Sequence, residues 1–536
     1  MARLILLVLL LLPAPVLARE TVSASSPQDL SVTVYRDPDR AEKPLPTLQS
    51  SASLNGFAMV SETRTVVLPA GPSTIRFEGV AEGMIAVTAI VTGLPGGVIE
   101  KNRNGDLLSP AALIDGSLGN RVAISRTNPA TGLATTENAI VRTRADGGLV
   151  LQTSEGFEAV RCAGLPEKLL FGHVPAGLSA KPVFSIDTNS PKGGSYRITL
   201  TYLATGFDWQ ANYLATLEKD TGSTRRRLRL IAWLTIANDN GQSFPDATVL
   251  AVAGTINVER DFRSLSDPLE ARPLRLTCYP LGSTARATMA EPVQYLAPRA
   301  QADEVGEIIV TASRVSGVAA LASAAIAMKA REEALGDVKL YRVPEPVTVA
   351  AQSLKQVAFL DRPRVDGTLF HRGACRPESG EGNEGSDGQF SPVSLWLRTR
   401  NDAAHGLGLA LPSGKVAVFE PTSAGEMVLG EQSIRDYASG QIVELALANS
   451  HTVYLACGLK AKDRGIADGQ WHTRHALATN ANNRAITLEI SLADSSAWAV
   501  RKLSGRHMIS DGRHIMTITV PANSSRSLYW DIRNTE

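Results

Sequence analysis

Apolar and polar residues alternate along much of the chain, so that every second side chain is apolar, as in β-strands with one buried face. The clearest example is Ser195–Tyr213, in which Tyr196, Ile198 and Leu200 share one face. From Ser394 onward, similar runs recur at about the 8–12-residue spacing typical of a sandwich or barrel. The pattern predicts a mostly β protein with two or more antiparallel β-sandwich or barrel-like domains.

Two short polar or proline-rich stretches predict turns between strands. Pro69-Ala70-Gly71-Pro72 separates the alternating runs Phe57–Val67 and Ser73–Val80, which predicts a hairpin. Asn240-Gly241 lies between two further runs, and an Asn-Gly step favours positive φ in a tight turn.

Two segments predict helices. In Leu107–Leu118, Ser109 precedes a proline and can act as the N-cap. The second segment, Val318–Leu335, is rich in alanine and has Ser316 as its N-cap and Gly336 at its end. We therefore expect one well-formed helix in the middle of the chain.

The N-terminal residues predict export. A basic Arg3 precedes the apolar run Leu4–Leu12, and a proline and small residues follow it up to Ala18. This is the pattern of a secretory signal peptide cleaved between Ala18 and Arg19. The apolar run is shorter than the roughly 20 residues that cross a bilayer. We expect a soluble periplasmic or secreted protein with no transmembrane segment in the mature chain.

Composition shifts divide the chain into five predicted segments. The alternation lapses at 281–306, where Pro, Ala and Gly indicate a linker. The segments are a signal peptide at 1–18, an N-terminal β-rich domain at 19–160, the first part of a β-sandwich domain at 161–280, the linker and helix at 281–336, and the C-terminal β-sandwich part at 337–536.

The chain has four cysteines, Cys162, Cys278, Cys375 and Cys457, and none of them belongs to a Cys-x-x-Cys pair. An even number in an exported protein favours disulfides, and the three possible pairings stay open. The alternatives are four separate small apolar side chains or, least favoured because of the wide spacing, a metal cluster.

Charge argues against a nucleic-acid partner. The 536 residues include 54 Lys and Arg against 53 Asp and Glu, for a net charge of +1. The only tight basic run is Arg225-Arg226-Arg227, and apolar residues follow it at Leu228 and Leu230. A nucleic-acid binder would show a strongly basic or clustered balance.

Phosphate-binding motifs are matched only in part, and no cofactor is predicted. Gly380, Gly382 and Gly385 fit Gly-x-Gly-x-x-Gly but lie in an acidic loop without the flanking strand and helix that hold a pyrophosphate. Ser413-Gly414-Lys415 resembles the end of a phosphate loop but lacks its first glycine and its Ser or Thr. We interpret Lys415 as a lysine after a turn.

Two candidate metal sites are weak, and none is predicted. His472 and His475 could share one face of a helix, but the neighbouring Gly and Asn residues indicate a loop. The acidic loop could offer Glu381, Asn383 and Asp387 to calcium. A solvated loop is the favoured interpretation, because no glutamate follows at a fixed spacing.

Aromatic residues give the candidate ligand-binding positions. Trp209, Tyr213 and Trp233 could form an exposed platform for sugars, although core packing where two sheets meet is favoured. Separately, the β-prone residues 307–314 lie between flexible flanks. They could add a strand to a partner sheet, but an ordinary internal strand is favoured.

Several motifs together resemble a known family. They are Leu165–Glu167, Tyr202–Tyr213, Ala232–Asn238, Ser243–Ala247, Gly336–Tyr341, Leu411–Val416 and Leu429–Glu431. The chain resembles the domain-of-unknown-function 4139 family, which is related to the mucoidy-inhibitor-like proteins. The resemblance covers most of the mature chain and implies an exported bacterial protein of β-rich architecture, without an agreed activity or catalytic residues.

The function predicted from the sequence is therefore that of a non-enzymatic envelope protein, which presents β-sandwich surfaces to another protein or to a surface polymer. One alternative is a carbohydrate-binding module that uses exposed aromatic residues. The other is a hydrolase whose active site is assembled from distant segments, since catalytic residues need not be close in sequence.

Overall fold

The computed structural model describes residues 19–37, 54, 56–104, 108–128, 131–143, 149–159, 168–175, 178–219, 222–254, 328–335, 338–376, 389–459 and 469–535. The predicted signal peptide, Cys162, Cys278, the acidic glycine loop and the segment 307–314 lie outside these ranges. Within them the chain is mostly β, as the alternating pattern predicted.

The described residues form thirty strands, one α-helix and a short 3-10 turn at Ala403–His405. The first half of the chain contains β1 Glu20–Ser23, β2 Asp29–Tyr35, β3 Phe57–Leu68, β4 Gly71–Glu78, β5 Met84–Thr92, β6 Glu100–Asn104, helix α1 Pro110–Gly116, β7 Arg121–Thr127, β8 Ala134–Val141, β9 Val150–Thr153, β10 Gly156–Ala159, β11 Lys168–Leu170, β12 Val183–Ser190, β13 Gly194–Thr205, β14 Phe207–Leu217, β15 Arg225–Asn238 and β16 Phe244–Ala253. The second half contains β17 Arg331–Leu335, β18 Val338–Arg342, β19 Val347–Val349, β20 Ser353–Ala374, β21 Phe390–Arg400, β22 Gly414–Thr422, β23 Gly425–Ile434, β24 Ile442–Leu459, β25 His472–Asn480, β26 Ile486–Asp494, β27 Trp498–Arg501, β28 Arg506–Ser510, β29 Arg513–Val520 and β30 Ser524–Asn534.

Four sheets contain these strands. One has the order β17-β18-β16-β2-β3-β13-β5, with β19 also paired to β16, and a second has the order β1-β4-β12-β6. A meander of five strands, β10-β9-β8-β7-β11, forms the third. The fourth runs β23-β22-β14-β15-β20-β21-β24-β25-β30-β27, and β26 joins it through β20 and continues to β29 and β28.

Three apolar cores lie between or beside these sheets. The largest draws side chains from the first two sheets and from β14, β15, β20 and β22, and includes Val60, Phe77, Leu200, Trp209 and Leu234. A second core joins β24, β25 and β30 to β26 and β29. A third, small core lies beside α1 and the meander. Sheets that share a core in this way are the arrangement of β-sandwiches.

Strand β20 connects the two larger cores. Its first part pairs with β15 beside the first core, from Ser353 opposite Asn238 to Thr368 opposite Arg225. Its last residues pair with β26 beside the second core. The 22 residues of β20 therefore hold the two sandwich bodies in one continuous hydrogen-bonded ladder.

The predicted hairpin at Pro69–Pro72 is wrong. Strand β3 pairs with β2 and β13, whereas β4 pairs with β1 and β12, so the turn crosses from one sheet to the other. Alternation along both strands is the same in a hairpin and in a crossing between layers, because each strand buries one face in either case.

Asn240-Gly241 also behaves differently from its prediction. Neither residue has positive φ. The link from β15 to β16 again passes between sheets, and buried amide groups hold it: Asn240 N–H donates to Asn238 Oδ1 at 3.0 Å, and Asn238 Nδ2 donates to the Ala350 carbonyl at 2.9 Å. Side-chain hydrogen bonds here replace the turn geometry that glycine would supply.

The two helix predictions have different outcomes. Helix α1 forms where predicted, and the Ser109 hydroxyl accepts from Ala112 N–H at 3.2 Å with proline in the first turn. The end of the predicted central helix is instead strand β17, which pairs antiparallel with β18. Backbone pairing to a sheet edge outweighs local helix propensity there. Residues 316–327 of that prediction lie outside the described ranges.

No helix in the described part of the chain is long and apolar enough to cross a membrane.

Candidate functional site

Trp209 and Tyr213, two of the three candidate aromatic residues, are buried in the largest core. The Trp209 indole N–H donates to the Val252 carbonyl at 3.1 Å, and its ring centroid lies 6.4 Å from that of Tyr341. The Tyr213 hydroxyl donates to the Pro412 carbonyl at 2.6 Å. Neither ring is exposed to a ligand, in agreement with the favoured interpretation as core residues.

Trp233 lies on the other face of the same sheet. It belongs to β15, where the flanking Ala232 and Leu234 point into the core, and it is half-buried. Its neighbours across the sheet are Asn212 of β14 and Ala358 of β20. The structure therefore separates Trp233 from Trp209 and Tyr213, and the three rings do not form one platform.

Cys375 and Cys457 form a disulfide whose Cα atoms are 5.6 Å apart. It joins the residue after β20 to strand β24 beside the second core. The sequence predicted disulfides but could not choose among the three possible pairings.

The weak motifs have structural explanations. His472 and His475 lie on strand β25, not in the predicted loop, so their side chains point to opposite faces. Within the described ranges, no group of three or more His, Cys, Asp or Glu could hold a metal ion. Lys415 is the second residue of β22, and its Nζ lies 3.4 Å from Glu431 Oε1, which agrees with its interpretation as a lysine after a turn.

The most distinctive surface feature is a cleft of about 880 Å³, which we call the basic cleft. It lies at the start of β15 and the end of β21, beside the middle of β20. It is lined by seven cationic residues and two acidic ones. The cations are Lys219, Arg225, Arg226, Arg227, Arg364, Arg398 and Arg400, and the acids are Glu218 and Asp366.

Strand pairing places these arginines in a regular array. Arg225 of β15 is opposite Thr368 of β20, which is in turn opposite Arg398 of β21. Adjacent strands are about 4.8 Å apart, and alternate residues of one strand are about 7 Å apart. Arg225 and Arg227 of β15 therefore lie on the same sheet face as Arg398 and Arg400 of β21, with β20 between them. The two arginines of one strand are about 7 Å apart, and the two strands are about 10 Å apart.

The basic run at 225–227 divides between the two faces of its strand. Arg226 points inward, where it donates to Glu420 Oε1 at 2.7 Å and to the Glu218 carbonyl at 2.6 Å. Arg225 and Arg227 are exposed on the other face. This alternation aims two of the three charges at the cleft.

The two acids neutralise only part of this charge. Asp366 Oδ1 lies 3.3 Å from Arg227 and 3.6 Å from Arg364. Among the described residues, neither Arg225 nor Arg400 has an acidic side chain within ion-pair distance. Asp402 lies farther away, where the charge of Arg400 contributes to lowering the pKa of this carboxyl. The cleft therefore carries an excess of positive charge on an exposed surface.

Arg398 is fixed in place by two glutamates. Its guanidinium contacts Glu444 at 2.6 Å and Glu489 at 2.9 Å and lies over the Phe370 ring. Burial opposes the charge of Arg398, but these hydrogen bonds outweigh that effect and raise its pKa. Arg372 contacts the same two glutamates, so two cations and two anions form one balanced network.

His405 lies at the wall of the basic cleft, in the 3-10 turn. Its Nδ1 is 2.7 Å from Asp402 Oδ1, and the same carboxylate accepts from the His405 backbone N–H at 2.9 Å. The hydrogen bond from His405 lowers the pKa of Asp402. Asp402 is thus the cap of this turn and also orients the imidazole.

The chain matches no protein-family model, and no curated protein matches it. The resemblance to the domain-of-unknown-function 4139 family stays a prediction from its motifs. Function must then be argued from the geometry and charge of the cleft, because a β-sandwich alone does not specify one.

Sequence reasoning missed the basic cleft. Its arginines come from β15 and, far along the chain, from the consecutive strands β20 and β21, and the net charge of the whole sequence averages them against acids elsewhere. The one visible signal was the run Arg225–Arg227, in which a strand period directs alternate arginines to one face.

Proposed function

We propose that this protein is a non-enzymatic binding protein of the bacterial cell envelope and that its basic cleft holds the anionic groups of a surface polymer. The observation that carries the proposal is that Arg225 and Arg400 line the cleft without an acidic partner among the described residues, beside Arg227 and Arg364, which share the carboxylate of Asp366. The predicted signal peptide supports the location.

Arginine side chains suit binding better than proton transfer. A guanidinium keeps its charge at every physiological pH and offers five N–H donors that match carboxylate and phosphate oxygens in pairs. The volume of about 880 Å³ is within the range of small-molecule and polymer-subunit sites. The cleft is open to solvent, so we expect moderate, salt-sensitive affinity.

The test is binding of a defined acidic glycan, tetragalacturonate, by titration calorimetry at low salt. The double variant Arg225→Gln, Arg400→Gln removes two charges that take part in no ion pair among the described residues. We expect a loss of about 2 kcal/mol, or roughly a 30-fold increase in Kd, because each partly exposed charged contact contributes about 1 kcal/mol.

A matched control is Arg197→Gln, which removes one exposed arginine from β13, a strand of the first sheet that does not line the cleft. It should leave the Kd unchanged, and neutral dextran should not bind. Equal binding by wild type and the double variant would refute the proposal, as would dextran binding of similar strength.

A hydrolase is the second candidate, because His405 is oriented by Asp402 at the wall of the same cleft. The His405 imidazole would act as a general base that takes a proton from a water attacking an anionic ester, and the alcohol would leave with that proton as the ester bond breaks. His405→Gln should then abolish hydrolysis of a sulfate or phosphate ester while the Kd for tetragalacturonate changes less than threefold. If the wild type does not hydrolyse these esters, the hydrolase candidate is refuted. Binding is then the function of the cleft, and Asp402 acts only as the cap of the 3-10 turn.

A further inference from the structure

A second cleft of about 440 Å³ adjoins the basic cleft and shares Arg398 with it. We call it the side cleft. It lies between β20 and β21 on one side and β26, β28 and β29 on the other. The residues used below are Trp396, Ser491, Met508, Arg513 and Ile515.

The side cleft contains polar groups that are buried and have no partner. Ser491 is 8% exposed, and its hydroxyl makes no hydrogen bond. The Trp396 indole N–H is also buried and unpaired. Buried polar atoms are nearly always satisfied, so these two groups have hydrogen-bonding capacity that a ligand seated in the cleft would fill.

The lining differs in chemistry from that of the basic cleft. Arg372 and Arg398 are already balanced by Glu444 and Glu489. The rest of the lining includes a neutral hydroxyl, an indole N–H and the apolar side chains of Met508 and Ile515, together with the hydroxyls of Ser394 and Ser510 and the charged side chains of Arg376, Asp511 and Arg513. Neutral donors beside apolar surface suit a sugar ring, which presents hydroxyls and C–H groups together. A polyphosphate offers only charged oxygens.

We propose that the two clefts are consecutive subsites for one linear acidic polysaccharide, with carboxylates in the basic cleft and a sugar ring in the side cleft. This inference rests on the proposed function and specifies its ligand. Trp396 and Arg398 are alternate residues of β21, so the subsites begin about 7 Å apart, close enough for one chain to occupy both.

The experiment compares galacturonate oligomers of two and six sugars. We expect the hexamer to bind at least tenfold more tightly than the dimer, because six sugars are enough to fill both clefts whereas two sugars fill only one. In Ser491→Ala, Arg513→Gln the ratio should fall below threefold while the Kd of the dimer is unchanged. Loss of an unpaired buried hydroxyl does not harm the fold, so the melting temperature of Ser491→Ala should be equal or higher.

A second measurement does not depend on the variants. In the wild type, hydrogen exchange should show that the hexamer, but not the dimer, protects backbone amides of β26 and β28. If β26 and β28 are unprotected, or if dimer and hexamer bind equally, the second subsite is refuted, whereas the proposed function survives if the dimer still depends on Arg225 and Arg400. An equal length dependence for polyphosphate would refute the sugar-specific assignment.

Discussion

The disulfide between Cys375 and Cys457 offers a stability prediction whose size follows from the chain. It closes a loop with a sequence separation of 82 residues. In the chain-entropy account, a loop of this length restricts the unfolded state enough to contribute about 4.5 kcal/mol at 25 °C. The buried Cys375 also packs in the second core.

The perturbation is the double variant Cys375→Ala, Cys457→Ala, measured by equilibrium urea unfolding against the oxidised wild type. Tryptophan fluorescence follows the transition, because Trp530 is buried in the second core. We expect the free energy of unfolding of this transition to fall by about 4–5 kcal/mol. Alanine is preferred to serine, since a serine hydroxyl at position 375 would be buried.

The backbone hydrogen bonds between the end of β20 and β26 provide an internal control. Cys375 N–H donates to the Ser491 carbonyl at 2.9 Å, and this bond is independent of the sulfur atoms. The native hydrogen-exchange pattern of β26 should therefore persist in the double variant. A loss below about 1 kcal/mol would refute the loop-closure reasoning, because the crosslink would then restrict the unfolded chain far less than a loop of this length should.

Four further substitutions test the core, the pH dependence and the cap of α1. Trp209→Ala should lower the unfolding free energy by about 3–5 kcal/mol, whereas Trp233→Ala should cost about 1 kcal/mol, and similar values in thermal unfolding would contradict their placement on opposite faces. Burial, with a smaller effect of Arg484, lowers the pKa of His371 to about 4. The unfolded state therefore takes up a proton first as pH falls below about 6.5, and stability present above that pH declines by up to about 3 kcal/mol toward pH 4. His371→Gln should remove most of this decline in urea titrations across that range, and an unchanged profile would show that other groups cause it. Ser109→Ala should destabilise α1 by about 1 kcal/mol, measured as faster amide exchange in Ala112, while unchanged exchange would argue against the cap.

The alternating pattern predicted the strands well because burial of one face leaves a period of two wherever a strand lies. It could not predict which strands pair. Pro69–Pro72 and Asn238–Gly241 both link alternating runs, and in both cases the chain crosses between sheets instead of turning back. Local sequence is the same for either path, and only packing of the whole core decides between them.

The helix predictions show the same limit. Ser109 and Pro110 specify α1 locally, and α1 forms. Residues 331–335 have good helix propensity, but the edge of β18 is available to them and they pair with it. Propensity differences of a few tenths of a kcal/mol per residue are small beside a row of backbone hydrogen bonds.

The candidate site was the least predictable part. Trp209 and Tyr213 were the most prominent candidates for a ligand-binding site in the sequence, but both are packed in the largest core. The arginines of the basic cleft come from β15 and from β20 and β21, which lie far along the chain from β15 and become its neighbours only after folding. A charge cluster that is assembled from separate strands does not change the overall composition. The basic run at 225–227 was the only part of the cluster that could be recognised in the sequence.

The most direct test of the central claim is a crystal structure of the protein with a galacturonate oligomer. The account predicts carboxylate groups within hydrogen-bond distance of Arg225 and Arg400 in the basic cleft. An oligomer bound only elsewhere, with both guanidinium groups left in solvent, would contradict it.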